Sequence, residues 1–465
     1  MKIKEALKIF CASFLFVCMV FLSGCNSINT ADSILTPPKT SADFSEIKSV
    51  LNKSVSEKFT LKYPSAGKYR SAYILADLMS IGNKNFALAF YSTVNKENVI
   101  TMHMHLMKKI DEKWTSLSDT TVSASDVEKV EFSDFDADGI YEIVVGWNIY
   151  GEVDKTLMVY SLSGNSLTPR TQEAYTNFEC FDLKGQGKDE LFIIKQNQKE
   201  GTALVKTCSF TQSGVVEGGN CAIDGTVSSF YDPVISKIAG GIPAVFIDAV
   251  KGTGVQTEIV YYKNGVLTAP TFNGSPGKSV TYRETTNLIT DIDGDGYMDI
   301  PMAEYYGDNN IVLTENQKET YTNNSSLSLK SGVISSTGLT KWESYNGIGF
   351  TVTLVAFMNY PDGYYFEIPL RWVNNVRITK NSKENSYSVN LNHNKDSESQ
   401  AELVDICTVS KSEWDESQNT KYKGYMIITK RDDTVWAAKI SDYSGPEKIE
   451  MSEVKKLFHF IKKAH

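Results

Sequence analysis

Asp291, Asp293, Asp295 and Asp299 stand at positions 1, 3, 5 and 9 of one short stretch, with Gly294 and Gly296 between them. The spacing returns as Asp134, Asp136, Asp138 and Glu142, with Gly139 inside it. Asp is short enough for several carboxylates to converge on one hard, oxygen-seeking cation, and Gly supplies the positive φ that wraps the backbone around it. Neither stretch is an EF-hand, because position 12 holds Val145 or Met302 where a bidentate Glu is needed. The competing reading is an Asp-rich turn held only by side chain–backbone hydrogen bonds.

Other chemistry is thinner. His103-Met104-His105 alternates on an expected strand, which puts both imidazoles on one face. With no acidic third ligand nearby in sequence, a solvent-facing strand is expected rather than a metal site. The chain has only five His and no Gly-x-Ser-x-Gly elbow, so hydrolase triads find little support, and no catalytic residue is assigned. A pair of carboxylates for glycosidase work remains open, since spatial pairing is invisible in sequence. Trp147, Tyr305 and Tyr306 flank the acidic stretches, either as a sugar or peptide platform or as core.

The elements that must position these loops read as β. Short apolar or alternating runs such as Phe86–Tyr91, Glu142–Trp147, Leu157–Tyr160, Glu190–Ile194 and Glu258–Tyr262 are separated by turns such as Ser163-Gly164-Asn165 and Lys263-Asn264-Gly265. A unit of Asp-containing glycine turn, strand, hairpin and strand starts near Asp77, Asp134, Asp182, Asp248 and Asp291. These starts lie 57, 48, 66 and 43 residues apart, near the length of one four-stranded propeller blade.

On these residues the chain resembles the FG-GAP/VCBS family of β-propeller repeats. Its hallmark is an Asp-x-Asp-x-Asp-Gly-x-x-Asp/Glu loop followed directly by an apolar strand. The resemblance covers roughly residues 58–354 and implies five to six blades. It further implies that calcium is ligated by Asp134, Asp136, Asp138, the Ile140 carbonyl and Glu142. The second site would use Asp291, Asp293, Asp295, the Tyr297 carbonyl and Asp299. Three copies are eroded. Lys184 and Gln186 replace ligands in the Asp182 loop, where an ammonium would stand in the cation's place. Met79 and Ile81 do so after Asp77, and Val250 after Asp248, so none of the three should bind calcium.

Residues 355–465 change texture and are expected to form a small α+β domain. Strands are expected at 364–369, 376–379, 387–391, 403–409, 425–430 and 435–440. A closing helix would carry Val454, Leu457, Phe458 and Ile461 on one face and Lys455, Lys456, Lys462 and Lys463 in water. Gly363-Tyr-Tyr-Phe-Glu-Ile-Pro-x-x-Trp372, with a sheet and helix after it, looks like the PsbP-like α/β sandwich.

The first residues read as an export signal. Lys2, Lys4 and Lys8 precede an apolar run from Ile9 to Leu22 that is short for a membrane span. Leu22-Ser23-Gly24-Cys25 resembles the bacterial lipobox, which implies cleavage of residues 1–24 and diacylation of Cys25. Two acyl chains anchor stably where one is marginal. Residues 25–57 then form a polar tether and a short amphipathic helix on Phe44, Ile47, Leu51 and Val55. Loss of three Lys and one Glu with the signal moves the net charge from −9 to −11. So acidic a body argues against nucleic acid and is compatible with cation binding. Cys180, Cys208, Cys221 and Cys407 fit neither a zinc knuckle nor a redox pair and are expected as free thiols, with a Cys208–Cys221 hairpin bridge as the alternative.

The expected function is a non-enzymatic, calcium-stabilised binding module. It would be lipid-anchored on the extracytoplasmic face of a bacterial membrane and take a protein or glycan partner. A glycan- or lipid-active enzyme and an envelope assembly or maturation factor are the alternatives.

Overall fold

The computed structural model describes residues 42–79, 82–149, 155–211, 214–274, 279–285, 287–303, 339–373, 375–381, 385–391 and 401–461. The expected signal, Cys25, Tyr305 and Tyr306 lie outside them. The described chain is mainly β, arranged in six antiparallel sheets.

The first sheet holds β1 (Phe59–Lys62), β2 (Tyr73–Ala76), β3 (Phe86–Val94), β4 (Ile100–Ile110) and β5 (Lys113–Val122). Next come β6 (Asp126–Ser133), β7 (Glu142–Asn148), β8 (Lys155–Ser163) and β9 (Ser166–Tyr175). The third holds β10 (Asn177–Phe181), β11 (Glu190–Asn197), β12 (Thr202–Thr211) and β13 (Gly214–Asp224). In the second and third sheets strands pair in strict chain order, as meanders. The fourth holds β14 (Ser229–Phe230), β15 (Val234–Ile238), β16 (Ile242–Lys251), β17 (Gly254–Lys263) and β18 (Val266–Thr268). The fifth begins with β19 (Asp299–Ala303), β20 (Leu339–Tyr345), β21 (Phe350–Asn359) and β22 (Tyr364–Glu367).

Successive sheets stack face to face. Phe86, Leu88, Phe90 and Met104 meet Val127, Ile143, Val145 and Trp147 between the first and second. Val144, Leu157 and Val159 then meet Phe178, Leu191 and Ile193. Phe192, Ile194 and Val205 meet Val245, Ile247 and Val260, and Phe246, Ile259 and Tyr261 meet Ile300, Met302 and Tyr345. A strand covered on both faces cannot alternate apolar with polar residues. That is why β3 and β7 read as unbroken apolar runs and are buried almost throughout. Helix α1 (Ala42–Ser54) supplies Ile47 and Leu51 to the outer face of the first sheet, against Ala87, Ala89 and Tyr91.

The sixth sheet holds β23 (Val376–Asn381), β24 (Ser386–Leu391), β25 (Glu402–Ser410), β26 (Met426–Arg431) and β27 (Thr434–Ile440), with α2 (Lys411–Ser417) inserted before β26. The expected start of this region at 355 falls inside β21. Val355, Phe357, Tyr364 and Phe366 belong to the fifth sheet and share one core with Tyr387, Val389, Val404, Ile406 and Trp436 of the sixth. The closing helix is shorter than its apolar stripe implied. Helix α3 (Met451–Leu457) stops at Leu457, and β28 (Phe458–Phe460) pairs with β22 as the last strand of the fifth sheet. Phe458 is therefore a strand residue stacked on Tyr364. Pairing with β28 satisfies the edge of β22 that another helical turn would have left open.

Candidate metal centres

Four of the five Asp-led segments are loops built on one plan. The carboxylate at position 1 accepts the backbone N–H at position 6, from Gly82 to Asp77 (2.7 Å), Gly139 to Asp134 (3.0 Å), Gly187 to Asp182 (2.7 Å) and Gly296 to Asp291 (3.1 Å). All four glycines have φ between 76° and 88°, a conformation that costs a side-chain-bearing residue. Asp134 and Asp182 also accept the N–H at position 5. The fifth segment, unlike the loop its sequence suggests, is a strand. Asp248 lies in β16, 3 % exposed, and its Oδ1 is 2.8 Å from Arg283 Nη2.

Position 9 opens the strand after the loop. Glu142, Glu190 and Asp299 are the first residues of β7, β11 and β19, and all three are buried. Each accepts a hydroxyl from its own sheet: Ser161 on Glu142 (2.9 Å) and Ser209 on Glu190 (3.0 Å) from the adjacent strand, and Thr353 on Asp299 (2.6 Å) from β21, one strand further on. The N–H at position 2 completes the anchor, from Phe135 to Glu142 and from Ile292 to Asp299. Local sequence does not single out these hydroxyls. Ser161 and Ser209 each follow their carboxylate by 19 residues, a period that a repeat alignment would have exposed. Thr353 follows by 54.

The structure gathers three carboxylates of each expected set. Oxygens of Asp134, Asp136 and Asp138 lie within 4.8 Å of one another, and so do oxygens of Asp291, Asp293 and Asp299. Glu142 instead turns to Ser161 and Phe135. Asp295 Oδ1 accepts the Tyr297 N–H at 2.8 Å, as Asp138 Oδ1 accepts that of Ile140 at 2.7 Å.

Asp136 Oδ1 is buried with no hydrogen-bond partner, a costly state for a carboxylate unless something positive faces it. Burial raises the Glu142 carboxyl, and the charges on Asp136 and Asp138 add to the rise. Burial pushes Asp299 up to about 7, with Asp293 and Asp295 adding to it. An all-oxygen set of converging carboxylates fits a hard divalent cation.

In the Asp182 loop the charge is already supplied. Lys184 Nζ lies 2.5 Å from Glu190 Oε1, tying position 3 to position 9. The neighbouring loops are also tied together, because Lys188 Nζ donates to the Asp136 carbonyl at 3.1 Å.

One other expectation is corrected, one alternative is resolved and one expectation is met. His103 and His105 do not face open solvent. Asp119 of β5 supplies the carboxylate that the local sequence lacked, 2.7 Å from His103 Nδ1 and 3.3 Å from His105 Nδ1, and His105 is 3 % exposed. Trp147 is fully buried, hence core rather than platform. All four described cysteines are free, as expected; in the β12–β13 hairpin Cys208 faces Glu217 while Cys221 faces Val205, so the two are out of register for a bridge.

No family model and no curated protein matches the chain. Among solved structures it is similar to rhamnogalacturonan lyase YesW, with 15% identity and a TM-score of 0.28 over 43% of this chain and 47% of that one. The rhamnogalacturonan lyase PL11 of Bacillus licheniformis gives 14%, 0.29, 43% and 47%. An exo-β-1,3-galactanase of Phanerochaete chrysosporium gives 9%, 0.25, 75% and 79%. The chain spans about half the length of the two lyases. Likeness at this level assigns neither fold nor function.

Proposed function

We propose that this chain is a calcium-braced β-propeller binding module of the FG-GAP/VCBS type. We further place it, lipid-anchored through Cys25, on the extracytoplasmic face of a bacterial membrane. The carrying observation is the shared loop plan: one glycine geometry and one buried position-9 anchor recur. In the Asp182 loop Lys184 supplies a cation to the position-9 carboxylate, and in the Asp134 and Asp291 loops three carboxylates converge instead. Calcium at Asp134, Asp136 and Asp138, and at Asp291, Asp293 and Asp299, would offset the mutual repulsion and fix the entry of β7 and β19. Glu142, Asp295 and the carbonyls of Ile140 and Tyr297 would complete the shells after small rearrangements.

Ring closure belongs to the proposal. It is supported by five successive sheets that stack in chain order, as blades do. Residues 368–457 would form a second, PsbP-like unit on the edge of the fifth sheet. Metal in this role positions strands and leaves recognition of a protein or glycan partner to the loops between them.

The test is affinity capture from the native envelope, with the full lipidated chain as bait, in calcium and in chelator. The reading predicts a partner retained in calcium and released by chelator. Recovery of no partner under either condition would contradict it.

A further inference from the structure

A further cluster of reactive groups, separate from the acidic loops, sits on the first sheet. His105 of β4 and Asp119 of β5 are directly opposed in the antiparallel register. His105 Nδ1 is 3.3 Å from Asp119 Oδ1, and its Nε2 is 2.9 Å from Ser116 Oγ. A carboxylate can only accept, so Nδ1 carries the proton and Nε2 is left as a base facing the Ser116 hydroxyl.

This alignment depends on one irregularity. Ser116 and Asp119 are three residues apart and would face opposite sides of a regular strand. The β4–β5 register shifts between Leu106 and Met107, pairing Leu106 with Ser118 and Met107 with Ser116. Leu117 is the extra residue, and the bulge turns Ser116 onto the face of His105 and Asp119.

Asp119 is itself held. It accepts the Tyr91 hydroxyl at 3.0 Å and the His103 Nδ1–H at 2.7 Å. His103 is stacked on Tyr91 with ring centroids 4.4 Å apart and has its Nε2 2.9 Å from Thr93 Oγ1. Burial works to raise the Asp119 carboxyl, but the bonds from His105, His103 and Tyr91 outweigh it and hold it below the usual range. Thr93 is buried whereas Ser116 is only half-buried, so Ser116 is the hydroxyl that a solute can reach.

We propose that Ser116, His105 and Asp119 form an acyl-transfer site for carboxylic esters, with Ser116 as nucleophile and His105 as general base. Asp119 is the positioning residue that fixes the imidazole tautomer. Ser116 Oγ bonds to the ester carbonyl carbon as its proton passes to His105 Nε2. The ester C–O bond breaks and the leaving alkoxide takes that proton. Water then attacks the acyl-serine and gives a proton to His105. The Ser116 C–O bond breaks, Oγ recovers the proton, and a carboxylic acid departs.

The test uses the full chain, a fluorophosphonate probe and p-nitrophenyl acetate. The expected result is a stoichiometric covalent adduct that peptide mapping places on Ser116. Ser116→Ala should lose it while keeping the wild-type circular dichroism and Tm. His105→Gln should slow ester turnover about 10²–10⁴-fold. For Asp119, ¹⁵N spectra should show His105 protonated at Nδ1 in the wild type and at Nε2 in Asp119→Asn. Absence of an adduct on wild-type Ser116 overturns the assignment, and so does equal ester turnover in Ser116→Ala. The first measurement needs no variant to fold.

Discussion

Lys184 Nζ lies 2.5 Å from Glu190 Oε1 inside a loop whose backbone repeats that of the Asp134 and Asp291 loops. The side chain at position 3 thus reaches the carboxylate at position 9, the pair that a bound cation would bridge. Glu190 also accepts Ser209, as Glu142 accepts Ser161 and Asp299 accepts Thr353. Lys184 acts as a tethered cation in a frame otherwise ready for a metal.

That frame can be converted. Lys184→Asp together with Gln186→Asp restores carboxylates at positions 1, 3, 5 and 9 without disturbing Gly187 or the Asp182 bonds to the loop N–H groups. The double variant should gain one calcium site over the wild type, with a dissociation constant of about 10⁻⁴–10⁻³ M. Calorimetric stoichiometry checks this. Without calcium the variant should melt below the wild type, because the Lys184–Glu190 pair is gone and new like charges face one another.

Arg283 and Asp248 form a buried pair, 1 % and 3 % exposed at their side chains. Asp248 also accepts the Thr257 hydroxyl and the Ile289 N–H. Arg283→Ala should destabilise by about 3–5 kcal/mol, since it strands a carboxylate in the core. Adding Asp248→Leu to Arg283→Met should recover much of that loss. Denaturant unfolding of the single and double variants measures both.

Stability should fall as pH rises from about 4.5 to 7. Burial pushes Glu258 up to about 7 from its ordinary 4.5, although the Thr271 hydrogen bond pulls it back. Glu179 is also pushed up to about 7 by burial, against the pull of Lys129 beside it. Between those values the folded chain holds protons that the unfolded chain has released, so each contribution is fully present below 4.5 and lost through 7. The loss per group is on the order of 3 kcal/mol. Glu258→Gln should flatten its share of the slope, as melts at pH 5 and pH 8 would show.

Much of this arrangement is legible in sequence where the signal is local. The Asp134 and Asp291 spacings predict tight glycine turns, and the turns are there with glycine φ near 85°. Lys184 reads as a cation surrogate from position alone. What sequence misses is cross-strand. Asp119 sits opposite His105 only through the β4–β5 register, and Ser116 joins them only through a bulge that no periodicity announces. Asp248 misleads for the opposite reason: a lone Asp in an apolar run looks like a turn, and its partner Arg283 is 35 residues away. The apolar stripe at Val454–Ile461 suits a helix or a strand edge, and pairing with β22 decides between them.

The most direct test of the metal account is isothermal titration of the protein with calcium. It predicts two sites in the wild type and one in Asp293→Ala, with the Asp134 loop unaffected by that change. Absence of any binding up to about 5 mM, beyond the weak end expected of extracellular modules, would contradict it.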